Sequence, residues 1–353
     1  MSQIPTLPGI TAETVTTARI STRVLTAGDP SGVPVLFIHG NASNATYWEE
    51  VMLALPAGFR AIAYDQRGFA EADRSARIHA TRGTGDFADD AFALLDTLGY
   101  EKAHVVGHSM GGSVVWRMMM DASERMLTVT VVAPGSPYGF GGTKGIDGEL
   151  CYPDAAGSGA GIVSAEFAKR IAEGDRGSDS PTSPRNVMLA HYFKPPFKPA
   201  REEELLSGIL SEYVGPDEYP GDFVASANWP MVAPGVWGVN NALSPLYRGD
   251  VSLIWTAINK PPVLWVRGAD DQIVSDNSLY EMGTLGQLGF VPGWPGADVY
   301  PPQPMVSQVR SVLDRYADHG GVYSELVIAD AGHTPYIEKP DEFNAALHRH
   351  LGA

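Results

Sequence analysis

Six short apolar runs, each closed by glycine or polar residues, constrain this chain more than any other feature of its sequence. They are VPVLFIHG (33–40), FRAIAYDQRG (59–68), AHVVGHS (103–109), TVTVVAPG (128–135), PVLWVRGADD (262–271) and SELVIADAGH (324–333). Each is rich in β-branched residues and continuously apolar, as strands buried on both faces of a parallel sheet must be. The earlier ARISTRVLTAG (18–28) alternates instead and suits an antiparallel pair at the edge. Helical patterns separate the runs. GDFADDAFALLDTLGY puts Phe92, Leu95 and Leu98 on one face, with Gly99 as the stop. MGGSVVWRMMMDAS follows Ser109 directly, its methionines reading as core, and KPDEFNAALHRHLG closes the chain. Strands alternating with helices imply right-handed crossovers and a mostly parallel, doubly wound α/β sheet.

The rhythm breaks between residues 135 and 258, where Gly/Pro/Ser-rich turns join isolated helices such as SAEFAKRIAEG and REEELLSGILSEYV. This stretch is too long for a loop. It predicts a mainly helical insertion over a core made of residues 1–134 and 259–353. A second irregular segment, GQLGFVPGWPGADVYPPQP (286–304), reads as an ordered excursion near the edge of the sheet.

Charge and cysteine usage narrow the partners. Against 41 Asp and Glu stand 25 Lys and Arg, a formal net charge of −16 that repels nucleic acid and anionic membranes. The single cysteine, Cys151, forms no intrachain disulfide and fits a reducing compartment. No signal peptide and no apolar run long enough to span a bilayer are visible, so a cytoplasmic protein is expected. No phosphate-binding loop, dinucleotide fingerprint or zinc-ligand spacing is present, so neither cofactor nor metal is expected.

In a parallel α/β sheet, function gathers at the carboxyl ends of the strands. There the sequence offers HGN (39–41), DQRG (65–68), GHSMG (107–111), GADD (268–271) and AGH (331–333). A lone G-x-S-x-G match arises by chance roughly 0.3 times in a chain of this length, so its neighbours must decide. They supply a nucleophile, an acid and a base in that order. A serine hydroxyl needs a base within hydrogen-bond reach, and a carboxylate must then hold the histidine tautomer and stabilise the imidazolium. Ser109 and His333 fit the first two roles, and the acid falls within Asp270 and Asp271. Gly107 and Gly111 relieve a tight turn at Ser109. The backbone N–H groups of Asn41 and Met110 are placed to hold a developing oxyanion. His39 reads as a structural hydrogen-bonding residue under that loop, and Arg67 as an ion-pair or turn residue.

FIHGN, YDQRGF, VVGHSMGGS, VRGADDQIV and ADAGHTPYIEKPDEF together resemble the α/β-hydrolase-fold serine hydrolases, in the esterase, lactonase and C–C hydrolase branch. The resemblance covers about residues 20–134 and 260–353. It implies the fold, a cap domain inserted after the sixth strand, and a triad of Ser109, Asp271 and His333. Asp271 follows from the family pattern of Gly, two residues, then Asp before an apolar pair, counted from Gly268; Asp270 is then expected to cap the turn. Dehalogenases and epoxide hydrolases of this fold carry Asp where this chain has Ser109. The expected activity is hydrolysis of a small-molecule carboxylic ester or lactone. C–C bond hydrolysis and cofactor-free perhydrolysis are alternatives on the same triad, and a slow-turnover ligand-binding receptor is the alternative of another class. His108 and the aromatic stretch with Trp229, Met231 and Trp237 are the expected substrate contacts. The sequence leaves the oligomeric state open.

Overall fold

The computed structural model describes residues 4–352. Eight strands make its central sheet: β1 (Thr11–Thr16), β2 (Ser21–Gly28), β3 (Val33–Ile38), β4 (Phe59–Tyr64), β5 (Ala103–His108), β6 (Met126–Val132), β7 (Val263–Gly268) and β8 (Tyr323–Ile328). Their spatial order is β1-β2-β4-β3-β5-β6-β7-β8. Pairing is antiparallel for β1 with β2 and β2 with β4, and parallel across the rest. All six apolar runs are therefore strands of one sheet. β1 escaped the sequence reading because Thr-Ala-Glu-Thr-Val-Thr is polar and lies half-exposed on the edge.

The chain runs from β3 outward to β4 and then crosses back to β5 on the other side. That reversal leaves a crevice at the carboxyl ends of β3 and β5, where such sheets bind ligands. Helices cover both faces. α1 (Gly85–Thr97) buries Phe87, Ala88, Ala91, Leu94 and Leu95. The buried stripe thus starts earlier than Phe92, which sits half-buried beneath the Arg125 guanidinium. Gly99 takes φ 81° as the expected stop. α2 (Met110–Ala122) is buried nearly all round, its Met118 and Met119 in the core with Trp116.

β5 passes into α2 through one residue, Ser109, at φ 54° and ψ −117°. Positive φ costs a residue with a Cβ energy, and the surroundings must hold it there. Glycines let them come close enough to do so. A Cβ on Gly107 would run into the Gly111 carbonyl, and one on Gly111 would run into the carbonyl oxygens of Ile38 and His39.

Between β6 and β7 the chain leaves the sheet. The helical segments expected there are α3 (Ala165–Ala172) and α4 (Glu202–Leu210), joined by turns, shorter helices and three two-stranded pairs. The excursion at 286–304 makes its contacts with this insertion. Tyr300 meets the Trp229 ring at 4.9 Å and donates its hydroxyl to Ala156 O, and Gln303 accepts from Gly141 N and donates to Gly139 O. Its Gly/Pro density therefore marks a clasp on the insertion, where an excursion near the sheet edge was expected.

Gly111→Ala is expected to destabilise the protein by about 3 kcal/mol or more, because the obstructing atoms are backbone and cannot rotate away. Chemical denaturation of both proteins measures this; equal midpoints would show that the turn relaxes to admit a methyl group.

Candidate active site

Four strand ends converge here. After β3, His39 is buried and neutral: its Nδ1–H donates to Gly40 O (2.8 Å) and its Nε2 accepts from Gln66 N (3.0 Å). Burial pushes its pKa down to about 4. The ring thereby fixes the loop carrying Asn41 and Ala42, the latter at φ 43°. The N–H groups of Asn41 and Met110 find no backbone acceptor among the described residues. Met110 N–H also opens α2, where the helix dipole favours negative charge.

After β7, Asp271 is buried and divides its oxygens. Oδ2 accepts from His333 Nδ1 (2.9 Å), while Oδ1 accepts from Ile273 N (2.8 Å) and Val274 N (3.0 Å). Asp270 points the other way, its side chain 43% exposed and paired with Lys194 (2.9 Å). The turn-capping oxygen expected of Asp270 thus belongs to Asp271, because adjacent residues of an extended turn face opposite sides.

After β8, His333 is buried beside His108, with ring centres 4.8 Å apart. His108 Nε2 lies 2.9 Å from His333 O, and the Tyr336 hydroxyl lies 3.4 Å from His108 Nδ1. Burial, with His333 nearby, drives His108 well below the ordinary imidazole range. A neutral ring satisfies both contacts when Nε2–H donates to the carbonyl and Nδ1 accepts from the tyrosine. His108 therefore holds the His333 main chain while one side of it meets the cavity. Arg67 is an ion-pair residue, bonded to Asp90 at 2.6 and 2.8 Å.

Ser109, His333, Asn41, Met110 and His108 all line one cavity of about 390 Å³. The insertion supplies most of its wall, including Phe140, Ile162, Val163, Phe167, Val187 and Leu243. The segment after β7 adds Ile273, Val274, Tyr280 and, from a short helix over Met282–Gln287, Leu285. Among the described residues, no Asp, Glu, Lys or Arg contributes to the lining. The expected aromatic contacts are elsewhere. Trp229 packs on Tyr300 and donates to Pro292 O, Met231 is 59% exposed, and Trp237 lies edge-on to His79 at 4.7 Å. Trp229 thus joins the insertion to the 286–304 clasp and Trp237 joins it to the core at His79, and none of the three lines the cavity. The true wall is a scattered mixture of aliphatic and aromatic side chains, so no compact stretch of sequence announces it.

Tyr192, also in the wall, donates its hydroxyl to Ala42 O (3.2 Å). Near it Glu212 is buried at 5% exposure, with neither carboxyl oxygen at hydrogen-bond geometry to a partner among the described residues. Burial pushes its pKa well above the usual carboxylate range, with the Ala42 N–H opposing. Burial thus favours the neutral form of Glu212 beneath the loop that follows β3. Cys151 is half-buried, its pKa pushed up to about 12 by burial. Among the described residues no three His, Cys, Asp or Glu side chains are grouped to hold a metal ion, and no helix is long and apolar enough to cross a membrane.

A strained serine between β5 and its helix, with an Asp–His pair at the ends of β7 and β8, places this architecture among the α/β hydrolases. The chain belongs to the alpha/beta hydrolase fold family, whose pattern it matches over residues 33–299. Rhodomycin D methylesterase DnrP of Streptomyces peucetius is 37% identical over 111 residues, 31% of this chain and 37% of that relative. Matches to three curated relatives span 59%, 37% and 37% of those proteins' own lengths. Among solved structures, serine hydrolase CCSP0084 of Cycloclasticus zankles superposes with a TM-score of 0.61 at 16% identity, covering 98% of both chains. Carboxylesterase CesB (YbfK) of Bacillus subtilis gives 0.57 at 16% identity, covering 97% of this chain and 91% of that one. At such identities the likeness is one of fold.

Glu212→Gln is expected to stabilise the protein, and more so as pH rises. The folded-state pKa lies above the ordinary value of 4.5, so the unfolded chain releases a proton that the folded one keeps, and stability falls with rising pH. The gain should be on the order of 1 kcal/mol or more near pH 8 and small below about pH 5. Thermal melts at both pH values test it; equal effects would mean that Glu212 ionises in the folded protein.

Proposed function

We propose that this hydrolase cleaves uncharged carboxylic esters, lactones included, through an acyl-enzyme on Ser109. The observation that carries the reading is the buried Asp271–His333 hydrogen bond on a cavity shared with Ser109. His333 takes the hydroxyl proton as Ser109 Oγ attacks the ester carbonyl, and the N–H groups of Asn41 and Met110 hold the oxyanion. The ester C–O bond then breaks, and the alcohol departs with the proton from His333. Water, deprotonated by the same ring, attacks the acyl-enzyme; the acid leaves and Ser109 regains its proton. Asp271 holds the His333 tautomer throughout and stabilises the transient imidazolium.

Residues 135–258 act as the cap in this reading, and the apolar, uncharged lining favours substrates with apolar acyl or alcohol parts. A carboxylate-bearing dienoate, as a C–C hydrolase would take, finds no cation in that lining. Burying its charge unpaired would be costly.

Ser109→Ala should lose activity on the order of 10⁴-fold or more toward uncharged nitrophenyl esters while melting like the parent protein. Residual turnover near the parent rate in a pure, folded variant would remove the acyl-enzyme. Absence of turnover in the parent across a broad ester and lactone panel would favour the receptor reading.

Asp271→Asn should lower kcat on the order of 10⁴-fold by letting His333 adopt the wrong tautomer. Asp270→Asn should stay within about threefold, since its exposed pair with Lys194 is worth about 0–1 kcal/mol. The reverse ranking in initial rates would move the acid to Asp270.

A further inference from the structure

Along Tyr192 to Lys194 the insertion lies directly on the loop that carries His333. Tyr192 O accepts from both Thr334 N (3.0 Å) and Thr334 Oγ1 (2.8 Å). At Gly332 the backbones nearly touch: an added Cβ would lie 2.9 Å from Lys194 N and from Phe193 C. One carboxyl group serves both sides of this contact. Glu338 Oε1 accepts from Lys194 N (2.7 Å), and Oε2 accepts from Gly332 N (2.8 Å), the residue directly before His333. The Lys194 ammonium reaches on to Asp270 and Asp330 at the ends of β7 and β8. Through its side chain, Tyr192 also bonds the loop after β3.

We propose that Glu338 is a positioning residue that locks the Tyr192–Lys194 segment of the insertion to the His333 loop, so that seating the cavity wall and placing the imidazole are one event. The proposal rests on the reading of His333 as the base. Only an ionised carboxylate accepts both N–H groups without offering a donor of its own. An amide turns its NH2 toward one of them and that clasp opens, while a protonated acid leaves only a weaker hydroxyl acceptor on that side. The group sits where this matters. Burial pushes Glu338 up to about 7 against the pull of the Lys194 and Gly332 N–H groups, with the Asp271 charge adding to the rise and Lys339 opposing it. The other nearby charges are the Lys194 ammonium and the two carboxylates it pairs with, Asp270 and Asp330, a cluster that keeps one net negative charge.

The full chain and its Glu338→Gln variant are compared in amide hydrogen exchange and in the pH profile of kcat on an uncharged nitrophenyl ester. Near pH 8, exchange in segments 188–194 and 330–334 should rise together, roughly 10-fold, as expected for the loss of a hydrogen bond to a charged group. The ratio of parent to variant kcat should also be roughly 10-fold there and should shrink toward unity below about pH 6, where the parent's own carboxyl is protonated. Thr334→Val removes a second clasp of the same contact, so it should loosen both segments without altering the pH profile. It carries the test if Glu338→Gln does not fold. Loosening of one segment alone, or a kcat ratio that does not vary with pH, overturns the lock. Coupled loosening in a protein that turns over no ester upholds the lock and overturns only the hydrolase reading.

Discussion

No side chain fits between the end of β3 and the first turn of α2. Gly111 lies against the carbonyls of Ile38 and His39, and Gly107 against Gly111, so strand, helix and neighbouring strand meet backbone to backbone. That contact forces Ser109 into its positive φ and raises its side chain at the rim of the sheet. It also brings the N–H of Met110 toward the loop after β3. Ser109, Met110, Asn41 and His333 all face the cavity that lies over this turn.

Burial then separates the histidines beneath that cavity. His39 and His108 are both held neutral by desolvation, and each spends its ring nitrogens on main-chain or tyrosine partners. Of the three, His333 is the one bonded to a carboxylate. A low-dielectric floor thus makes similar side chains unequal. Two become fixed struts, and one is left oriented by Asp271 toward the proposed chemistry.

The insertion contributes aliphatic and aromatic wall and, among the described residues, no Asp, Glu, Lys or Arg. Other residues fasten the insertion in place. Trp229 and Tyr300 hold the insertion to the 286–304 segment, while Tyr192 and Lys194 hold it to the loops bearing the site. The wall is therefore fastened at points far apart in sequence.

Much of the fold was legible because its rules are local. Continuous β-branched runs ending in glycine became strands, and Gly99 stopped its helix as the sequence suggested. The serine turn was legible for the same reason: its sterics demand glycines at fixed offsets. Even the divergence of Asp270 from Asp271 follows from the alternation of an extended chain. The polar edge strand β1 gave no such signal, having little to bury. What the sequence could not carry was the cavity. Its wall is drawn from well-separated segments, and Ile162, Val187 and Leu243 look in the sequence like ordinary core residues. Trp229 and Trp237 stood out by composition and proved to pack elsewhere. Tertiary structure alone brought Glu338 to Gly332 and Lys194, because long-range hydrogen bonds leave no periodic trace in the chain that makes them.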